Sequence, residues 1–220
     1  MGLKLSSADH QRMLMSYSNI PPILIVFYSV HGSTRALAEA IAQGVESIGV
    51  EAILRQVPRV SDNIGQHQDS VPETGAPYVT VDDLAHCSGL ALGSPTRFGN
   101  MAAPMKYFLD QTATQWLNGS LIDKPACVFT SSSSMHGGQE ATLLSMQIPL
   151  LHHGMVICGL PYSNSALHTT VTGGSPYGVT HVSIDNTQTL STDELILAKA
   201  QGERLATLAR KLYKDEGNNQ

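Results

Sequence analysis

Three polar stretches in this chain carry residue types suited to holding an anion, and each follows an apolar run. The first, Ser29-Val30-His31-Gly32-Ser33-Thr34, offers three hydroxyl donors and a glycine that lets a ligand approach the backbone closely. A helical period begins directly behind it. Helix starts leave backbone N–H groups unpaired and carry about half a positive charge, so a strand feeding a helix through such a loop is a phosphate-binding geometry. The loop contains no lysine, and Arg35 is its neighbouring cation. It would hold a terminal phosphate by dipoles and hydrogen bonds rather than by counter-charge. The alternative reading is an N-cap on an ordinary α/β helix. In the second stretch, Pro95-Thr96-Arg97-Phe98-Gly99-Asn100, a guanidinium and an aromatic ring lie between turn residues. The third is Ser131-Ser132-Ser133-Ser134-Met135-His136-Gly137, rich in hydroxyls and ending in glycine.

Several chemistries are excluded by spacing. No G-x-x-x-x-G-K-[ST] and no G-x-G-x-x-G occurs, which argues against a Walker-type NTPase and a dinucleotide fingerprint. A mononucleotide ending in a phosphate fits better. His31, His136, His152, His153, His168 and His181 lack metal-ligand spacing, so no metal is expected. Cys87, Cys127 and Cys158 lack C-x-x-C spacing and read as reduced packing cysteines of a cytoplasmic protein.

The elements that must position these loops are legible as alternating strands and helices. Ile23–Tyr28 is an unbroken apolar run, suited to a strand buried on both faces. Leu37, Ile41, Val45 and Ile48 then follow a helical period, with Gly49 as its stop. Val50–Val57 reads as a second strand ended by Pro58, and 58–82 as a long loop. A short helix from Asp82-Asp83-Leu84, a third strand over Ser88–Gly93, and a helix marked by Met101, Met105, Phe108 and Leu109 come next. Pro125–Phe129 is the fourth strand, followed by a helix to Gly154 that Pro149 is expected to kink. Met155–Cys158 begins the fifth strand, and 159–190 reads as an irregular insert. Ser191 and Glu194 form a capping box for a last helix, with Leu195, Ala198, Leu205, Leu208 and Leu212 expected inward. This alternation implies an α/β doubly wound five-stranded parallel sheet, whose ligands sit past the C-terminal strand ends. All three polar stretches lie on that edge.

Composition sets the bounds. With 220 residues, 42% hydrophobic and 14% charged, the chain is long enough for one domain with a sizeable core. A net charge of −5 without a Lys/Arg cluster argues against nucleic acid as a partner, and no stretch is long enough for a membrane span. Residues 1–19 are expected to form a flexible leader, 20–213 the domain, and 214–220 a polar tail.

Taken together, Tyr28–Thr34, Gly93–Met101, His136–Glu140, His152–Met155 and Gly174–Gly178 resemble the WrbA family over about Ile20 to Leu212. These are flavodoxin-like, FMN-dependent NAD(P)H:quinone oxidoreductases. The resemblance implies a sheet order 2-1-3-4-5, FMN as cofactor, NAD(P)H as the electron-donating substrate, and quinones reduced by ping-pong hydride transfer through flavin N5. It implies FMN phosphate at Ser29, Val30, His31, Gly32, Ser33 and Thr34. The ring would be bordered by Pro95, Thr96, Arg97, Phe98 and Gly99, with Ser131, Ser132, Ser133, Ser134, Met135, His136 and Gly137 along the ring and ribityl side. His152 would approach the flavin from a neighbouring subunit or loop. His31, Trp116 and His152 would meet substrate, and Arg97 would act electrostatically; no covalent or acid–base catalyst is implied. A homotetramer, a dimer of dimers with 159–190 aiding assembly, is likewise implied.

Duller roles exist for some of these residues: His152 and His153 as neighbours of a helix C-terminus, Trp116 as core packing. Two rival functions are a flavodoxin-type electron carrier and a regulatory protein that FMN merely stabilises. The carrier predicts a strongly acidic face, which a net charge of −5 does not favour.

Overall fold

The computed structural model describes residues 20–60, 72, 75–184 and 187–213. The leader 1–19, the tail 214–220 and most of the long loop before residue 75 lie outside the described residues, and with them the expectations made there.

Strands β1 (Ile23–Phe27), β2 (Ala52–Gln56), β3 (Gly89–Arg97) and β5 (Pro125–Ser132) run parallel in the order β2-β1-β3-β5. Every residue of β1 is buried. Pleating alternates side chains between faces, and the sheet accordingly feeds two cores. Ile23, Ile25 and Phe27 join Ala91, Cys127 and Phe129 under helices α1 (Ser33–Ser47) and α6 (Thr192–Leu212). Leu24, Val26 and Tyr28 join Leu90, Leu92 and Val128 under α2 (Ala103–Asp110) and α4 (Gln139–His152). Each such fully buried side chain contributes about 1.5–3 kcal/mol relative to exposure. The expected apolar face of α1 is borne out at Leu37, Ile41 and Val45, and Gly49 ends it with φ 76°.

The fifth position of the sheet differs from the expectation. Two short strands share it: β6 (Val156–Ile157) pairs with Pro125 and Ala126, and β7 (Val179–Val182) with Phe129 to Ser132. The segment 159–190 is therefore not wholly irregular, because it carries both β7 and a short helix α5 (Ala166–Thr169). Four residues with two hydrophilic side chains give little period, so β7 is recognisable from its pairing alone. Buried Gln201 of α6 serves the break between β6 and β7: its Nε2 donates to the Val128 carbonyl at 3.0 Å, and its Oε1 accepts from Val179 N–H at 2.6 Å. An amide does here what the missing ladder would have done.

Other boundaries also shift. Met101 lies in β4 (Asn100–Met101), which folds back antiparallel on β3, and α2 starts only at Ala103. The Met101 side chain is buried with those of α2, which is why it mimicked the helical period. Asp82-Asp83-Leu84 forms a 3-10 turn (Val81–Leu84) capped by Thr80, rather than an α-helix. A short helix α3 (Ala113–Leu117) precedes β5. On α6, the Ser191–Glu194 capping box is present, but Leu195 and Leu212 are exposed. Ala198 and Leu205 are buried as expected and Leu208 packs partly against the core, while Leu197, Gln201, Gly202, Ala206 and Ala209 complete the inner face. That face is built of small residues because α1 and α6 nearly touch: a Cβ on Gly202 would collide with the Ile41 carbonyl, and one on Gly44 with the Lys199 carbonyl.

Gly202→Ala should lower stability by about 1–3 kcal/mol through overpacking, although alanine is the better helix former by about 1 kcal/mol. Thermal unfolding should show a lower Tm; an unchanged or higher value would mean that the helices separate freely.

Candidate functional site

Strands β1 and β3 are neighbours whose following helices pack on opposite faces of the sheet, so their C-terminal loops diverge and leave a crevice. A cleft of ≈ 250 Å³ opens there, lined by Ser29, Val30, His31, Ser33, Thr34, Pro95, Thr96, Arg97, Ser131, Ser132, Ser133 and Ser183. Three loops distant in sequence are thus brought together. A fourth contributor, Ser183, follows β7 and escaped sequence reading because it lay in the supposedly irregular insert.

Eight of the twelve described lining residues carry hydroxyls, and none carries a carboxylate. Arg97 supplies a cation at the exposed rim, its Nη1 donating to the Thr96 carbonyl at 2.8 Å. Helix α1 begins at the cleft wall: Gly32, at φ 92°, is its N-cap and has no side-chain capping bond. That conformation favours glycine. Gly32 N–H donates to Ser29 Oγ at 3.1 Å, and the first helical turn behind it carries N–H groups that a helix cannot pair internally. An anion fits this donor set: hydroxyls, a helix N-terminus and no like charge.

The wall hydroxyls are fixed by the fold. Thr34 Oγ1 meets Ser131 Oγ at 2.8 Å, joining α1 to β5. Ser33 Oγ donates to Ser183 Oγ at 3.0 Å, and Ser183 Oγ donates to the Thr187 carbonyl at 2.6 Å. Gln139 at the start of α4 donates to Ser132 Oγ at 2.8 Å, and Thr142 Oγ1 donates to Thr96 Oγ1 at 2.7 Å.

Behind Ser183 lies an ion pair that the sequence reading did not foresee. His181 Nδ1 is 2.8 Å from Glu194 Oε2, both side chains 1% exposed. Glu194, read from sequence as a cap residue, also accepts from the N–H groups of Ser191, Gly173 and Val182. Burial acts to raise its pKa, but these bonds and His181 overcome it and lower the carboxyl from 4.5 to about 2. Burial likewise opposes protonation of His181, yet the bonds to Glu194 and the Thr187 carbonyl leave its pKa raised.

Not every expected site residue lies in this cleft. Ser134, Met135 and His136 are exposed beyond its wall, while the Gly137 carbonyl accepts from Thr96 Oγ1 at 3.4 Å. Phe98 is fully exposed at the β3–β4 turn with φ 53°, and Gly99 packs beside Gly138. Trp116 and His152 line a separate groove of ≈ 630 Å³ with Met101, Leu109, Ile148 and Pro149. Trp116 Nε1 donates to the His152 carbonyl at 2.9 Å, so the two belong together but away from the cleft within one chain. His153 contacts Thr112 Oγ1 at 2.9 Å, and burial together with His152 pushes its pKa down. The β3–β4 hairpin separates cleft and groove, giving Thr96 and Arg97 to one and Asn100 and Met101 to the other.

Comparisons with known proteins place the chain in a family and a fold. A family model described as NADPH-dependent FMN reductase matches residues 22–168. The chain is 45% identical over 202 residues to a Syntrophobacter fumaroxidans protein named NAD(P)H dehydrogenase (quinone), covering 88% of this chain and 99% of that one. A Geobacter sulfurreducens protein of the same name is 43% identical over 199 residues, covering 86% and 98%. Among solved structures, the fold is similar to that of a flavodoxin, WrbA-like protein from Agrobacterium tumefaciens, with TM-score 0.60 and 21% identity over 88% of this chain and 99% of that one.

The ion pair predicts a pH dependence of stability. Glu194 stabilises the fold above its ordinary pKa of 4.5, by about 3 kcal/mol, and loses that contribution as pH falls towards about 2. His181, with its pKa raised, stabilises below 6.5 and loses its contribution as pH rises through the folded value. Denaturant unfolding of the wild type and Glu194→Gln should therefore differ most near pH 5–6, with the gap closing in acid. A gap independent of pH would refute the assignment.

Proposed function

Because this chain belongs to the NADPH-dependent FMN reductase family, we propose that the serine-lined cleft is its flavin site. Loop Ser29–Thr34 and the first turn of α1 take the phosphate; Pro95 to Gly99 and Ser131 to Gly137 border the ring and ribityl chain. The activity is FMN-dependent reduction of quinones to hydroquinones by NADH or NADPH. Bound FMN supplies two-electron hydride chemistry, while the protein supplies position and electrostatics.

One observation carries the site reading: an anion-accepting cleft without a carboxylate sits where β1 and β3 diverge. Such a cleft meets a phosphate with hydroxyl and N–H donors already fixed by Ser131, Ser183 and the helix start. Arg97 stands at the rim, where a guanidinium stabilises negative charge developing on the ring edge or on a quinone oxygen. Hydride transfer requires no protein nucleophile, and none is assigned.

The second groove supports a homo-oligomer, in the form of a tetramer. Trp116 and Ile148 line that groove with exposed apolar side chains, a surface that a second copy would cover. In this arrangement His31 of one copy meets substrate together with Trp116 and His152 of another. A single-chain mass by light scattering would refute it. Residues 20–213 form one domain in this reading, since β7 returns the insert to the same sheet. No described helix is long and apolar enough to cross a membrane. The three buried free cysteines favour a reducing, cytoplasmic setting.

Under nitrogen, NADH should bleach the flavin absorbance of the purified protein, and benzoquinone should restore it without a protein-bound ternary step, giving parallel-line kinetics. A protein that neither retains FMN nor gains thermal stability from it loses this reading. Ser33→Ala should weaken FMN binding roughly tenfold or more, as a hydrogen bond to a charged group contributes about 1.5–3 kcal/mol. An unchanged dissociation constant would remove Ser33 from the phosphate site.

A further inference from the structure

His181 does not line the cleft, yet one of its two ring bonds leads there. Its Nδ1 faces Glu194 Oε2 at 2.8 Å and its Nε2 faces the Thr187 carbonyl at 3.1 Å. An ionised carboxylate and a carbonyl can only accept, so both ring nitrogens must donate for both contacts to hold. The doubly protonated ring satisfies that geometry, and the neutral ring does not. Neutral His181 keeps one N–H, and the carboxylate, held anionic by three backbone N–H groups, is the stronger claimant. The Thr187 contact is then lost.

That carbonyl matters to the cleft because Ser183 Oγ also donates to it, at 2.6 Å, and Ser33 Oγ lies 3.4 Å from it. A carbonyl offers two lone pairs. With His181 donating to one of them, Thr187 needs less from Ser183, whose hydroxyl, itself the acceptor of the Ser33 bond, can turn towards an anion. Without it, Ser183 Oγ is the remaining close donor and stays committed to Thr187. Gln188, the next residue, lies over the Gly32 cap with its amide group where a Cβ would project. Any loosening of Thr187 therefore reaches the helix start as well.

We propose that His181, clamped between Glu194 and the Thr187 carbonyl, is a positioning residue for the cofactor phosphate, whose grip tightens when both ring nitrogens are protonated. The inference rests on the assignment of the phosphate to this cleft. The groups facing His181 fit that role. On α6, Glu194 bonds it directly, and the adjacent Asp193 carboxylate accepts from Thr169 Oγ1. On β5 its register partner is Ser131, and α1 presents Ser33 and Thr34, which are uncharged. Burial disfavours the charged ring, but the bonds to Glu194 and the Thr187 carbonyl outweigh it and hold the His181 pKa above its ordinary value, which favours the doubly protonated form that the geometry requires.

The test uses the full chain, freed of flavin and reloaded with FMN or with riboflavin, which lacks the phosphate. The His181 ring is followed by NMR across pH 5.5–8.5 and identified by its absence in His181→Asn. By linkage, FMN should raise the His181 titration midpoint while riboflavin leaves it in place. In Ser183→Ala the FMN effect should vanish, because the relay runs through that hydroxyl. FMN binding should also weaken roughly five- to tenfold more between pH 6 and 8.5 in the wild type than in His181→Asn, whose profile carries the ligand's own titration. Should His181→Asn not fold, the ring signal is assigned through its bonds in isotope-labelled wild type, and the wild-type midpoints decide alone. Equal midpoints with FMN and riboflavin, or an FMN effect that survives in Ser183→Ala, would overturn the proposal. A wild type that binds riboflavin as tightly as FMN would instead overturn the phosphate assignment beneath it.

Discussion

Strands β1, β3 and β5 are covered by helices on both faces, and that double burial decides where polar chemistry can occur. Side chains along Ile23–Phe27 and Leu90–Leu92 have no water on either side. An unpaired polar group there would cost about 1–3 kcal/mol or more. Hydroxyls and charges are therefore driven to the strand ends, and parallel strands put all their C-terminal ends on one edge. The cleft is a consequence of the core. Its walls are the C-terminal strand ends, with Ser29 just past β1 and Pro95 and Ser131 paired near the ends of β3 and β5.

An anion can be met by a counter-charge or by dipoles, and the serine-lined cleft offers dipoles. Lysine is absent from the lining, and the guanidinium of Arg97 stands out at the rim. Neutral donors need to be fixed in place to be effective, since a mobile hydroxyl is a poor substitute for water. The bonds Thr34–Ser131 and Ser33–Ser183 do this by tying α1 to β5 and to the segment after β7. Close α1–α6 packing through Gly44 and Gly202 then holds the helix start against the sheet.

The broken fifth position gives the site its fourth wall. If β6 had simply continued, the chain would have had no reason to return to β5 at Phe129 with a new strand ending in Ser183. The break is stabilised by two buried polar residues of one helix: Gln201 completes the ladder, and Glu194 gathers the N–H groups of Gly173, Val182 and Ser191. A capping box thereby serves as an anchor for the site. The second groove follows a different logic, with exposed Trp116 and Ile148 across the β3–β4 hairpin from the serine-lined cleft.

Strand and helix periods, the loops after β1, β3 and β5, and the edge on which they meet were all legible from residue order. Local sequence determines burial pattern and turn chemistry, and parallel topology then leaves one edge available. The motif set also made the family and its flavin recognisable. Residue order did not disclose β7 or Ser183, the His181–Glu194 pair, the Gln201 bridge from α6, or the separation of Trp116 and His152 from the cleft. Each of these depends on partners 13 to 150 residues away. A four-residue strand is defined by what it pairs with, and a buried carboxylate by which N–H groups converge on it. Such contacts have no local period, so only the tertiary structure decided them.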